Sequence, residues 1–156
     1  MSNAILHSSQ YQNYRPVRLI VIHCSATRCN RPFPVEAVVA THKERGFATI
    51  GYHYYITRDG VVHAGRPVHQ EGAHVTGWNK FSIGVCYEGG LSPQGLPADT
   101  RTDAQKDTLR RLLLRLLTDY PTARIVGHRE LGANKACPCF DAGTEYASLA
   151  AGCGGE

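Results

Sequence analysis

No stretch of this 156-residue chain approaches the roughly 20 consecutive apolar residues of a membrane-spanning helix. Met1 to Pro16 has neither the basic n-region nor the apolar h-region of a secretory signal, so synthesis in the cytoplasm is expected. Internal repeats, low-complexity blocks and inter-domain linkers are missing too, which leaves a single shared core. Basic runs are absent: the net charge of +4 is scattered along the chain and argues against a duplex nucleic acid as partner. With 42% hydrophobic and 19% charged residues, the composition is that of an ordinary globule rather than a disordered or fibrous chain.

Six cysteines are present, and in a reducing compartment each is first a buried thiol, a metal ligand or a nucleophile. Cys24 and Cys86 lie in apolar strands and read as small buried residues, with a Cys24–Cys29 bridge as the alternative under oxidising conditions. Cys153 falls in a Gly-rich tail and is expected to be an idle exposed thiol.

Val17 to His23 is apolar on both faces, as a central strand requires, and His23 ends it. Pro34 suits a first helical turn, after which Val35, Val38, Val39 and His42 recur at helical spacing until Gly46. Tyr52 to Thr57, the turn Arg58-Asp59-Gly60 and Val61 to Ala64 predict a hairpin. Alternation puts Tyr52, Tyr54 and Ile56 on one face, His53 and Tyr55 on the other. Ser82 to Tyr87 predicts another strand. Thr102 and Gln105 predict a capping box ahead of a helix with Leu109, Leu112, Leu113, Leu116 and Leu117 on its apolar stripe, ending before Pro121. Arg124 to Gly127 predicts a short strand that delivers His128, and the rest through Leu149 reads as loop with a final helical turn. The order implies an α/β fold: one domain with a central mixed β-sheet flanked by α-helices.

His23 and His128 each stand where an apolar strand runs out, the place where open α/β sheets present functional groups. Cys137 follows His128 after a short loop, so its sulfur can fold back toward that imidazole. Two imidazoles and a thiolate are a normal zinc ligand set with one position left open; satisfied core histidines and a buried thiol are the other reading. Lys135 is either an oxyanion-stabilising ammonium or a solvated surface group, and Tyr52 either a phenol donor or a core aromatic.

The strings VIHCSAT (Val21 to Thr27), HKERGF and IGYHYYITRDGVVHAGR (within His42 to Arg66), GAHVTGWNKFSIGV (Gly72 to Val85) and GHRELGANKACP (Gly127 to Pro138) resemble the zinc-dependent N-acetylmuramoyl-L-alanine amidases, the amidase and peptidoglycan-recognition-protein family. The likeness runs from about Val17 to Asp141 and is strongest to the small amidases of short-tailed coliphages. It implies Zn2+ as cofactor, His23, His128 and Cys137 as ligands, and Tyr52 and Lys135 as the catalytic pair. His42, His74 and Asn79 lie on segments that line the family's substrate groove and are expected to contact the muramyl peptide. Cys139, two residues beyond Cys137, is a departure that could compete for the metal.

The resemblance implies cleavage of the amide between N-acetylmuramic acid and L-alanine by zinc-activated water, in a phage or prophage endolysin. A non-cleaving recognition protein, a cytosolic muropeptide-recycling amidase and a cysteine-nucleophile enzyme are the alternatives. The expected domain plan is an arm at 1–16, a catalytic domain at 17–149 and a flexible tail at 150–156. The expected partner is bacterial peptidoglycan, met by a monomer without membrane insertion or nucleic acid; Met1 to Pro16 gives no basis for binding an RNA polymerase.

Overall fold

β1 (Leu19–Cys24) is buried along its whole length, as a strand apolar on both faces must be, and so takes an interior place in the sheet with a neighbour on each side. In the computed structural model, which describes residues 15–132 and 134–154, β5 (Ser82–Tyr87) runs parallel to it on one side and β7 (Arg124–Gly127) parallel on the other. β3 (Tyr54–Ile56) pairs parallel with β5, and β4 (Val62–Ala64) closes that edge antiparallel to β3, giving the order β4-β3-β5-β1-β7. A small parallel ribbon of β2 (Thr27–Arg28) and β6 (Gly90–Leu91) lies apart from this sheet.

Strand alternation divides the core. Ile20, Ile22, Ile83, Val85, Tyr87 and Ile125 share one cluster with Leu109, Leu113, Leu116 and Leu117 of α2 (Asp103–Asp119). The capping box predicted for that helix is present, with Thr102 Oγ1 accepting from the Gln105 N–H at 3.1 Å and Gln105 Oε1 accepting from the Thr102 N–H at 3.0 Å. The opposite face carries Leu19, Val21 and Val126 with Val75. It also carries Tyr55 and Cys86, which pack with Ile50 and with Val38 of α1 (Val35–Glu44). No helix among the described residues is long and apolar enough to cross a membrane.

Two expectations are corrected. The strand predicted from Tyr52 begins only at Tyr54, because Gly51 and His53 are bends. Alternation therefore fails across them: Tyr52 packs beside Tyr55 and Cys86, on the face opposite Tyr54 and Ile56. The segment through Leu149, read as loop with a final helical turn, forms α3 (Ala142–Glu145) and the start of α4 (Ala147–Gly154), so helix is more extensive there than expected. Asp141 caps the first through the Thr144 N–H at 3.1 Å, while Tyr146 and Leu149 are buried, a pattern too short to show helical periodicity. Residues 1–14 of the expected arm and the side chain of Cys153 lie outside the described residues, whereas Arg15 donates through Nε to the Val68 carbonyl at 2.9 Å.

Arg101 fastens this C-terminal segment to the core. Its guanidinium lies 3.4 Å from the Phe140 ring centroid and pairs with Asp99 at 2.9 Å and Glu145 at 2.8 Å. Arg101→Leu is expected to cost about 3 kcal/mol in urea unfolding, the low end for breaking a buried pair because both carboxylates keep contact with water.

Candidate metal centre and active cleft

Parallel pairing brings the two histidines together. Ile22 lies opposite Gly127 in the β1–β7 register, so the residues that follow, His23 and His128, emerge side by side with ring centroids 4.7 Å apart. Beyond β7 the chain turns through a 3-10 segment (His128–Leu131), held by Glu130 Oε1, which accepts from the N–H groups of Gly127 and Gly143, each at 2.9 Å. The returning loop is tied by the Arg129 N–H to the Cys137 carbonyl at 2.9 Å and by the Tyr87 hydroxyl to the Pro138 carbonyl at 2.6 Å. One donor atom each from His23, His128 and Cys137 then lies within 4.8 Å of the others, a group able to hold a metal ion.

The electrostatics suit a cation there. Burial first, then the neighbouring His74, His128 and Lys135, keeps His23 far below its ordinary pKa, so its imidazole is neutral with a lone pair to offer. Burial, followed by Lys135, also lowers His128. The Cys137 thiol is held below its usual value by hydrogen bonding from the Cys24 side chain and from the Cys24 N–H, which reaches Sγ at 3.3 Å. Cys137 Sγ lies 3.9 Å from His23 Nδ1, close to the about 3.6 Å that a tetrahedral angle between normal zinc–nitrogen and zinc–sulfur bonds requires.

Cys139 is turned away from this group. Its backbone is left-handed, with φ at 70°, and its Sγ donates to the Gly90 carbonyl at 3.3 Å and touches Cys24 Sγ at 3.9 Å. Its bond with the Cys24 side chain, then burial, pushes its pKa up, so it stays a neutral thiol. Cys24 and Cys86 are buried, as expected, and both are free, as is Cys29.

The three donors open on a cleft of about 510 Å3 that also receives Tyr52 and Lys135. Tyr52, half-buried, has its ring 5.1 Å from that of His23 and 5.2 Å from that of His42. Burial of its hydroxyl, with Cys86 and Cys137 nearby, raises its pKa well above 10, so it is a proton-bearing donor. Lys135 is exposed at the mouth. His42, His74 and Asn79 all border the cleft, and each is engaged in holding its wall. His42 Nδ1 accepts from the Gly51 N–H at 2.8 Å, which leaves Nε2 as its remaining donor. Asn79 Oδ1 accepts from the N–H groups of His74 and Val75 at 2.8 and 2.9 Å. Arg45 and Phe47, stacked with the guanidinium 5.0 Å from the ring, also line the cleft, and no periodicity in the sequence points to them.

His53 lies outside the donor group, but not for the reason that alternation suggested. Its ring is on the same face as the site, 5.9 Å from that of His74 and buried beneath it. Nδ1 accepts from the Gly84 N–H at 3.0 Å, so Nε2 carries the proton and donates to the Gln70 carbonyl at 2.8 Å. Burial lowers its pKa from 6.5 to about 4, against the raising effect of Gln70 and with help from Arg15. The unfolded ring therefore takes up a proton first on acidification, so stability falls from about pH 6.5 and is fully reduced below about 4. In chelator-treated protein, urea unfolding between pH 7 and 4 should show about 3 kcal/mol of acid destabilisation that His53→Gln removes.

A mixed sheet that lifts a compact His–His–Cys group to its strand ends, beside a protonated phenol and an ammonium, defines an α/β enzyme built around a candidate single-metal centre. Residues 13–140 match the N-acetylmuramoyl-L-alanine amidase family, and the chain belongs to that family. It is 41% identical over 132 residues to an endolysin of Klebsiella phage KP32, covering 85% of this chain and 87% of that one. An endolysin of Escherichia phage T7 is 42% identical over the same length and the same shares. Among solved structures, the N-acetylmuramoyl-L-alanine amidase LysC from Clostridium intestinale superposes with a TM-score of 0.74 at 28% identity, covering 88% of this chain and 87% of that one.

Proposed function

We propose that this chain is a phage-type endolysin that hydrolyses the amide joining the lactyl group of N-acetylmuramic acid to L-alanine, with Zn2+ held by His23, His128 and Cys137. The observation that carries this reading is the convergence of those three donors with Tyr52 and Lys135 in one cleft of an amidase fold. Zinc in such a ligand set supplies an electrophile for the carbonyl oxygen and makes water a nucleophile near neutral pH. Lys135 neutralises the negative charge that develops on the carbonyl oxygen as the carbon becomes tetrahedral. Tyr52, which keeps its proton, donates a hydrogen bond to the same oxygen or to the attacking water. His42 through Nε2 and Asn79 through its amide group contact the stem peptide, and Asn79 also orders the loop that carries His74. With phage endolysins as relatives, we place synthesis in the host cytoplasm and action at the wall.

The test is mass spectrometry of purified peptidoglycan after digestion, with a chelator and then with zinc restored. Stem peptides with free L-alanine amino termini, lost with chelator and regained with zinc, are the expected products. Sacculus binding with no bond broken would make the chain a recognition protein, and cleavage indifferent to the chelator would move the chemistry to a cysteine.

A further inference from the structure

The ring of His74 is built into the sheet side of the site and is spoken for at both nitrogens. Nδ1 lies 2.9 Å from His23 Nε2, and Nε2 lies 3.2 Å from the hydroxyl of Ser82, which is fully buried. The ring sits over β5 at Gly84, where a β-carbon would come within 2.7 Å of it. Its backbone is fixed by Asn79 Oδ1. Such a position suits a fixed role better than a substrate contact.

The chain His23–His74–Ser82 has two possible directions of hydrogen bonding. In one, the Ser82 hydroxyl donates to His74 Nε2, and His74 Nδ1–H donates to His23 Nε2; a neutral His23 then carries its proton on Nδ1. That nitrogen is the one 3.9 Å from Cys137 Sγ, so this direction removes the lone pair a metal needs. In the other, His23 Nε2–H donates to His74 Nδ1, and His74 Nε2–H donates to Ser82 Oγ. His23 Nδ1 is then free to ligate. A single hydrogen bond from His74 thus decides whether His23 faces the cleft as a donor or as a ligand.

We propose that His74 is a positioning residue for the metal: anchored on Ser82, it accepts the Nε2 proton of His23 and commits His23 Nδ1 to coordination. This rests on the metal-binding reading above and deepens it. No contact between His74 and the substrate is involved.

The test measures zinc itself. Chelator competition gives the zinc affinity of the wild type, His74→Asn, whose side-chain oxygen can stand near the place of Nδ1, and His74→Leu, which has no acceptor. His74→Leu is expected to weaken zinc about 10- to 100-fold, and His74→Asn to recover most of that loss. Equal affinity of wild type and His74→Leu would overturn the proposal, as would equal losses in the two variants, which would mark the ring as packing only. Nitrogen-15 NMR of the zinc-loaded wild type needs no variant to fold: protons on Nε2 of both His23 and His74 are expected, and coordination through His23 Nε2 overturns the idea. Failure of the wild type to bind zinc at all would instead remove the metal reading on which it stands.

Discussion

Cys137→Ser is expected to lose both the metal and the amidase activity. A serine hydroxyl stays protonated at neutral pH and is a poor partner for zinc, while the cavity left by sulfur keeps two imidazoles and an unfilled corner. The fall in zinc affinity should exceed the about 10- to 100-fold typical of groups that only orient a ligand. Cys139→Ser is the matched control, because that thiol bonds to the Gly90 carbonyl and Cys24 rather than to the histidines. It should retain metal and activity together. Elemental analysis after dialysis, read beside peptidoglycan turnover, checks both variants; zinc lost only from Cys139→Ser would exchange the roles of the two cysteines.

The second large effect belongs to Lys135. Its ammonium stands at the cleft mouth and lowers the pKa of His23 and His128 without bonding to either, so its removal leaves the donor group intact. Lys135→Ala should bind zinc at least as well as the wild type, while kcat falls about 10²- to 10³-fold, the usual result of deleting one oxyanion donor. KM should move little, since charge on the carbonyl oxygen appears only as the reaction proceeds. Normal turnover by a zinc-replete Lys135→Ala protein would place oxyanion stabilisation elsewhere.

Much of this architecture was legible in the sequence because it depends on local rules. The buried run before His23, the Ser82 to Tyr87 strand and the Thr102–Gln105 capping box match their structural counterparts within a residue or two. Strand ends and spacing offered His23, His128 and Cys137 as a donor group beside the reading of core histidines and a buried thiol, and it was the family resemblance that singled out the three together. The orientation of Tyr52 was not legible. Two bends at Gly51 and His53 reverse the face that alternation assigns, and bends leave no period to read. The contacts of Cys139 were equally hidden: the Lys135-x-Cys137-Pro138 frame favours Cys137 as ligand, but only the left-handed backbone at Cys139 shows its sulfur turned to the Gly90 carbonyl. His74 was expected only as a substrate contact; its partners, His23 and Ser82, are brought to it by the parallel pairing of β1 and β5.

That pairing also sets a schedule. β1 is made before the two strands that flank it in the sheet, β5 and β7, which come from much later in the chain. The first imidazole must wait for nearly the whole polypeptide before the second imidazole and the thiolate arrive. A nascent or prematurely terminated chain that stops short of Cys137 cannot complete the donor group, whatever zinc surrounds it. Assembly of the donor group therefore waits until translation has passed Cys137.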